Sequence, residues 1–240
     1  VSNEEKMDIL SASVEMVAAQ FQSAGMDEET VKLANASIKA LEKIAESATS
    51  VGKLVKELLK AKGGYRFAHC QLVTFLSFHV IKMMSWWGDD QREILSQASF
   101  YHDIALKNDD QSRIRTAKTF TEAKFEDPAE RELVFSHAQL AAQELQVVSD
   151  LPPEVVRVVL QHHGSPTGRG FATEIASIDN LAKVFMMSEE WADYLIQLSE
   201  TDSPPENEAK ITELKELYKD DLASQIIESF RYLDPEKFAM

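Results

Sequence analysis

The sequence contains a single cysteine, Cys70, among its 240 residues, which excludes a disulfide within the chain. A protein without disulfides fits a reducing compartment such as the cytoplasm. The first residues, VSNEEKMD, are acidic and polar and do not resemble a signal peptide. Together these features predict a cytoplasmic protein.

Long apolar runs and an excess of basic residues are also missing. The most apolar stretch, 70–87, is interrupted by Gln71, His79 and Lys82, so the sequence predicts no membrane span. There are 25 basic residues against 40 acidic ones, for a formal net charge of −15. Nucleic-acid binding needs a basic surface, so this charge argues against a DNA-binding protein. An anionic substrate would need local positive charge, from metal ions or from a few Lys and Arg side chains.

Strand-like alternation is absent, and the periodic segments have helical spacing. Glycine and proline number 8 and 7 and fall between these segments, so the sequence predicts an all-α protein. We expect three parts: an N-terminal helical segment over 1–62, a central bundle over 63–199 and an acidic helical tail over 200–240. Helices are predicted at about 3–21, 27–62, 66–87, 90–106, 111–123, 128–147, 153–163, 174–199, 206–220 and 221–231.

The predicted helix 27–62 carries apolar and small residues at alternating steps of four and three, which forms a heptad-like seam. Small residues in the middle of the seam would let a second helix approach closely. Two interpretations stay open: packing of this helix onto its own domain, or a two-helix contact in a homodimer. The seam comprises Ala34, Ile38, Leu41, Ala45, Ala48, Gly52, Val55 and Leu59.

The six histidines of the sequence are not scattered. His102 directly precedes Asp103 at the end of an apolar helix, and His162 and His163 end another. Neutral imidazole and carboxylate are good ligands for divalent zinc, iron, manganese or nickel. A centre with two such ions needs roughly six to eight ligand atoms and activates a water for attack on phosphorus. Five histidines and a carboxylate would supply most of that set, whereas His79 lies among apolar residues and is expected in the core.

The order H…HD…H…HH, followed one helix later by an acid, resembles the HD superfamily of metal-dependent phosphohydrolases over about residues 65–198. The subgroup that it resembles most is the HD-GYP cyclic-di-GMP phosphodiesterases, whose hallmark runs roughly HHE-x-x-DG-x-GYP. Here the stretch is HHGSPTGRGFA, with Phe171 in place of the tyrosine, as in a divergent member. Further on, IDNLAKVFMMSE is similar to the family's IPxxARxxxVAD, with Glu189 in place of the last aspartate. The resemblance implies an HD-domain helical bundle and a bacterial signalling enzyme.

The resemblance also implies two half-sites for metal ions, which share Asp103. The implied cofactors are two divalent transition-metal ions, with iron or manganese preferred over zinc. Some family members hold a third metal on a glutamate four residues before the first histidine; Tyr65 stands at that position, which favours two ions. Glu190 is an alternative ligand to Glu189. Half-site A would comprise His69, His102, Asp103 and Glu189, and half-site B would comprise Asp103, His137, His162 and His163.

The groups expected to hold substrate phosphate depart from the family pattern. The family often reads HD-x-x-K, but Leu106 stands at the lysine position and Lys107 follows it. A shift of one residue turns a helical side chain by about 100°, so Lys107 can reach a phosphate only if the helix has ended. Arg169, in the glycine-rich loop, is a second candidate phosphate contact. We expect Asp103 and Lys107 to be catalytic residues, and Lys107 and Arg169 to bind substrate.

The favoured hypothesis is a metal-dependent phosphodiesterase that hydrolyses cyclic-di-GMP weakly, with a water bridging two metal ions. Its partner would be a cyclic dinucleotide or another small phosphoester. Two alternatives stay open. One is another HD-fold enzyme, either a nucleotidase or a di-iron oxygenase with the same ligand set. The other is a non-catalytic signalling module that binds partner proteins or a nucleotide; the altered GYP stretch favours it, and the retained ligand types argue against it.

We predict that Gly52→Leu separates a homodimer, because a bulky side chain in the seam keeps two helices from approaching closely. Light scattering of the wild type and the variant at matched concentrations measures the change in mass. A wild-type protein that is monomeric at all practical concentrations would contradict the homodimer interpretation.

Overall fold

The computed structural model describes residues 3–47, 54, 57, 58, 64–86 and 88–233. Within these residues every regular element is helical, and the expected all-α class is confirmed. None of the helices described is long and apolar enough to cross a bilayer. In chain order the helices are α1 (Asn3–Ala24), α2 (Glu28–Ser47), α3 (Gly64–Met83), α4 (Asp89–Tyr101), α5 (Asp109–Ser112), α6 (Ala117–Glu122), α7 (Pro128–Leu145), α8 (Pro153–Gln161), α9 (Asn180–Thr201), α10 (Asn207–Leu217) and α11 (Asp221–Ser229), followed by a 3-10 turn at Phe230–Tyr232.

Helix α3 lies in the middle of the bundle and packs against α9. Its side chains are buried on nearly all sides, as expected of a helix that is apolar all round, and Phe67 and Leu72 are fully buried. Helix α9 is also deeply buried and contributes Trp191 to the same core. These two helices carry the first and the last residue of the predicted ligand series, His69 and Glu189. The bundle core therefore positions both ends of that series.

The N-terminal helices α1 and α2 form a hairpin that packs on the bundle. The chain reverses at Gly25, whose φ of +76° favours glycine. Val17 on α1 and Ala34 and Ile38 on α2 belong to the same hydrophobic core as α3, so the first part of the predicted seam packs within the chain. The described residues do not include Ala48, Gly52, Val55 and Leu59, nor the side chain of Ala45. The homodimer contact stays a prediction.

The prediction of one helix over 111–123 is wrong, because the chain turns between α5 and α6. The side chain of Asn108 caps the beginning of α5. The side chain of Thr116 caps α6 by accepting a hydrogen bond from the backbone N–H of Thr119. The turn between the two short helices directs the side chain of Arg115 into the bundle, where it is buried.

Helix α9 begins later than predicted, at Asn180, because turns occupy the preceding stretch. The side chain of Asp179 caps it by accepting a 2.9 Å hydrogen bond from the backbone N–H of Leu181. At the other end of these turns, Gly164 follows the paired histidines with a φ of +76°. A Cβ at this position would lie 2.3 Å from the carbonyl oxygen of Ala172, so only glycine fits there.

The C-terminal helices α10 and α11 pack on the bundle, and their apolar residues belong to its main core. The ring of Phe230 stacks on that of Trp191, with centroids 4.8 Å apart. Lys183 on α9 pairs with Asp220 at the beginning of α11, at 2.7 Å. Both apolar and ionic contacts therefore join the described part of the predicted tail to α9.

We predict that Phe230→Ala lowers the free energy of unfolding by about 3–5 kcal/mol, because it removes a fully buried ring from the core. Urea unfolding followed by circular dichroism measures the change. Tyr232→Ala is the matched control, since Tyr232 is 69% exposed, and its cost should be under about 0.5 kcal/mol. Equal losses in the two variants would show that the turn after α11 does not share the core of the bundle.

Candidate metal centre

Seven side chains that the sequence nominates as metal ligands come together inside the bundle. They lie on α3, directly after α4, on α7, directly after α8 and on α9. Their ligand atoms form two groups, and within each group the atoms lie within 4.8 Å of one another. One group is Asp103, His137, His162 and His163, and the other is His69, His102 and Glu189, all of them buried. The first group has the same members as predicted half-site B, and the second has those of half-site A without Asp103; we call the seven side chains the centre.

Backbone carbonyls orient three of the imidazoles. Nδ1 of His102, His137 and His162 lies 2.8, 2.7 and 2.6 Å, respectively, from the carbonyl oxygen three residues earlier. A carbonyl oxygen can only accept a hydrogen bond, so each Nδ1 carries the proton. In the neutral form of each ring, Nε2 is left without a proton and faces the centre. The same contact therefore fixes both the tautomer and the direction of the ring.

Asp103 lies between the two half-sites, and each of its carboxylate oxygens faces one of them. Oδ1 is 3.5 Å from Nε2 of His137 and 3.9 Å from Nε2 of His162. Oδ2 is 3.5 Å from Nε2 of His102. A carboxylate in this position offers one oxygen to each of two ions.

Several buried nitrogen atoms of the centre lack the kind of partner that a metal ion would be. Nε2 of His137 lies 3.1 Å from Nε2 of both His162 and His163. If both rings are neutral with the proton on Nδ1, the facing lone pairs of His137 and His162 repel each other unless a cation lies between them. Within the described part of the chain, the buried Nε2 atoms of His69 and His102 have no hydrogen-bond partner. Leaving a buried acceptor unpaired costs about 1–3 kcal/mol, so these residues fit a bound metal.

The charge states of three of these groups at neutral pH also suit a metal ion. Burial lowers the pKa of His162 to about 3 and holds the pKa of His163 well below its usual value, so both imidazoles stay neutral. Burial raises the pKa of Asp103, but the neighbouring imidazoles and Arg115 lower that pKa more, and the carboxylate stays ionised. Metals bind neutral imidazoles and ionised carboxylates, so these three groups need not lose a proton first.

A second layer of side chains orients His69. Nδ1 of His69 lies 3.0 Å from Oδ1 of Asp193. With the proton on Nδ1, this nitrogen donates a hydrogen bond to the carboxylate, and Nε2 faces the centre. The hydroxyl of Tyr65 donates to the same oxygen of Asp193. Tyr65, which stands where the family pattern has a third-metal ligand, therefore supports His69 through Asp193.

Glu189 lies in half-site A, whereas Glu190 contacts the C-terminal helices. Oε1 of Glu189 is 3.6 Å from Nε2 of His69 and 3.5 Å from Nε2 of His102. Glu190 accepts a 2.6 Å hydrogen bond from the hydroxyl of Tyr218. Burial raises the pKa of Glu190. The geometry therefore favours Glu189 over Glu190 as a ligand.

Arg115 is a functional candidate that the sequence analysis missed. Its buried guanidinium pairs with Glu189, with Asp103 at 3.4 Å and with Asp193 at 3.2 Å. No sequence pattern marks it, because it lies twelve residues after Asp103 in a stretch predicted to be one helix. Three carboxylates around one guanidinium leave an excess of negative charge, which divalent ions would offset.

The two residues predicted to hold substrate phosphate are exposed. Helix α4 ends at Tyr101, so Lys107 lies beyond the helix, which is the condition for its side chain to reach a phosphate. The side chain of Lys107 lies at the surface. Arg169 is also exposed and pairs with Glu132 at 2.7 Å. The roles of Lys107 and Arg169 stay predictions.

Two positions that depart from the family pattern, Leu106 and Phe171, meet in one apolar cluster. Leu106 is buried there with Phe120 and Val134, and Phe171 packs against them. The ring of Phe171 lies 4.6 Å from that of His163. Half-site B is therefore flanked by apolar side chains at the two positions where the family pattern has a lysine and a tyrosine.

No family model matches the sequence, and no curated protein matches it. A solved structure with a similar fold is that of Bd1817, a HDG"Y"P protein from Bdellovibrio bacteriovorus. The two chains are 17% identical with a TM-score of 0.60, and the match covers 95% of this chain and 71% of that chain. The expected HD-domain bundle and its resemblance to HD-GYP proteins are thereby confirmed at the level of the fold. This fold and the buried His/Asp cluster fit a metal-dependent phosphohydrolase.

We predict that Asp103→Ala loses both metal ions, because it removes the carboxylate that faces both half-sites. Elemental analysis after anaerobic purification should find about two ions per wild-type chain, as a two-metal centre requires, and close to none in the variant. His79→Ala is the control, since Nε2 of His79 lies 3.1 Å from the carbonyl oxygen of Ser229 on α11. Loss of metal from His79→Ala, or two ions in Asp103→Ala, would show that the ligand assignment is wrong.

Proposed function

We propose that this chain is a metal-dependent phosphodiesterase that hydrolyses cyclic-di-GMP slowly. The observation that carries the proposal is the position of Asp103, whose two carboxylate oxygens each face a separate group of imidazoles. This arrangement suits a centre with two metal ions, and such centres hydrolyse phosphate esters. The HD-domain fold supports the same conclusion.

Half-site A would hold one ion and half-site B the other, with one carboxylate shared. When bound, two divalent ions, iron or manganese by preference, supply a water-derived nucleophile at neutral pH and positive charge beside the phosphate. The chain supplies oriented imidazoles, because carbonyl contacts hold His102, His137 and His162 with Nε2 inward. Asp193 does the same for His69.

The charge of the centre explains why an anionic substrate would depend on bound metal. The chain carries a formal net charge of −15. Within the centre and its surroundings, the carboxylates of Asp103, Glu189 and Asp193 outnumber the guanidinium of Arg115. These side chains alone would repel a phosphodiester. Bound divalent cations are the largest local charges in such a site and reverse its sign.

Cyclic-di-GMP is proposed as the substrate from the resemblance to the HD-GYP group, and two departures predict slow turnover. Leu106 offers no charge to a phosphate, and Phe171 lacks a hydroxyl. A lost charge-assisted contact costs about 1.5–3 kcal/mol, or about 10- to 150-fold in the affected step. Lys107 and Arg169, both exposed, are the candidates that would hold the phosphates instead.

We predict that the chain loaded with manganese or iron converts cyclic-di-GMP slowly to the linear dinucleotide and then to GMP. Chromatography of the nucleotides after incubation measures the conversion. Asp103→Ala must abolish product, because it removes the shared carboxylate, whereas His79→Ala must retain it. This pair of variants separates the activity of the chain from that of a contaminating phosphodiesterase, which neither substitution would change.

Three other outcomes would contradict this proposal and favour its alternatives. Turnover of mononucleotides but not of cyclic-di-GMP by the loaded protein would indicate a nucleotidase. Inactivity on every phosphoester with two ions bound would favour a di-iron oxygenase. Close to no metal after anaerobic purification would favour a non-catalytic module that binds a partner protein or a nucleotide.

A further inference from the structure

We propose that Arg115 is an internal cation that competes with the metal ion of half-site A, so that the two ions bind in order and with unequal affinity. Half-site B fills first, and half-site A fills only when the guanidinium leaves Glu189. The inference rests on the two-metal centre of the proposed function and concerns how that centre is loaded.

The competition is for a single oxygen atom. Oε1 of Glu189 faces Nε2 of both His69 and His102, so it is the oxygen that half-site A offers to an ion. The same Oε1 is the partner of Nη2 of Arg115. A guanidinium and a metal ion are both cations, so they repel each other when both approach this oxygen. An ion that binds half-site A therefore has to displace Arg115 from Glu189.

Half-site B is free of this competition. Asp103 turns Oδ1 toward His137 and His162, whereas Nη1 of Arg115 lies 3.4 Å from the other oxygen, Oδ2. Arg115 is therefore on the half-site A side of the shared carboxylate. The first ion can bind Oδ1 and the imidazoles of half-site B while Arg115 stays in place.

Arg115 is held in position by several contacts besides Glu189. Its Nε lies 3.2 Å from Oδ2 of Asp193, and Nη1 donates to the carbonyl oxygen of Ser112 at 3.3 Å. Its backbone N–H donates to Oγ1 of Thr119 at 3.2 Å. The side chain is buried, so moving it breaks charge-assisted hydrogen bonds that water does not fully replace. This free-energy cost reduces the free energy gained when an ion binds half-site A, so half-site A has a weaker affinity for its ion than half-site B.

A metal titration of the full chain tests the inference without reference to activity. Protein freed of metal by a chelator is titrated with Co²⁺, and binding is followed by calorimetry and by the visible absorption of the bound ion. We expect two steps in the wild type, with dissociation constants that differ by about 5- to 150-fold, the usual range for coupled sites. Arg115→Gln should tighten the second step by a similar factor and leave the first unchanged.

Three further variants control the titration. Arg115→Lys should keep a weak second step, because it retains a positive charge at this position. Arg157→Gln should match the wild type, since Arg157 also pairs with carboxylates, Glu154 at 3.1 Å and Asp179 at 3.7 Å, but at the surface. His137→Ala should remove the first step and leave the second, which assigns each step to a half-site.

The outcomes separate this inference from the proposed function. Two equal steps in the wild type would overturn the inference and leave the two-metal function intact. An unchanged second step in Arg115→Gln, with a native circular dichroism spectrum, would also overturn it. No bound Co²⁺ in either protein would contradict the two-metal centre itself. If Arg115→Gln does not fold, the wild-type titration still decides between equal and unequal steps.

Discussion

The centre depends on one interaction, that of the buried Asp103 carboxylate with the groups around it. Burial raises the pKa of Asp103, yet the neighbouring imidazoles and Arg115 keep that pKa well below its usual value. A buried carboxylate stays ionised only where charges or hydrogen-bond donors surround it. Helices α3, α7 and α9 and the residues directly after α8 each bring at least one side chain to the centre around it. The packing of these helices and the charge state of Asp103 are therefore coupled.

The ends of two helices give their histidines a fixed orientation. His102 and His162 directly follow α4 and α8, where the last carbonyl groups lack partners within the helix. Nδ1 of each histidine donates to one of these carbonyls, which satisfies the oxygen and leaves Nε2 to face inward. His137 makes the same contact inside α7. A local backbone requirement thus prepares the ligand atoms before any ion is bound.

Two of the differences from the HD-GYP pattern lie together beside half-site B. Leu106 and Phe171 place an apolar cluster beside His163, whereas the ligand types of both half-sites are retained. Metal binding and substrate recognition depend on different groups, because the first needs buried lone pairs and the second needs donors that face the substrate. Arg115 belongs with the metal-binding groups, since its guanidinium is buried and pairs with their carboxylates.

The sequence by itself determined the all-α class and nominated the ligand types, because helical periodicity and the H…HD…H…HH order are patterns along the chain. Only the tertiary structure decided that Arg115 is buried, since its carboxylate partners lie on other parts of the chain. The tertiary structure likewise decided that Glu189, rather than Glu190, is the ligand candidate. Consecutive residues on a helix point about 100° apart, and the packing of α9 decides which of the two faces the centre.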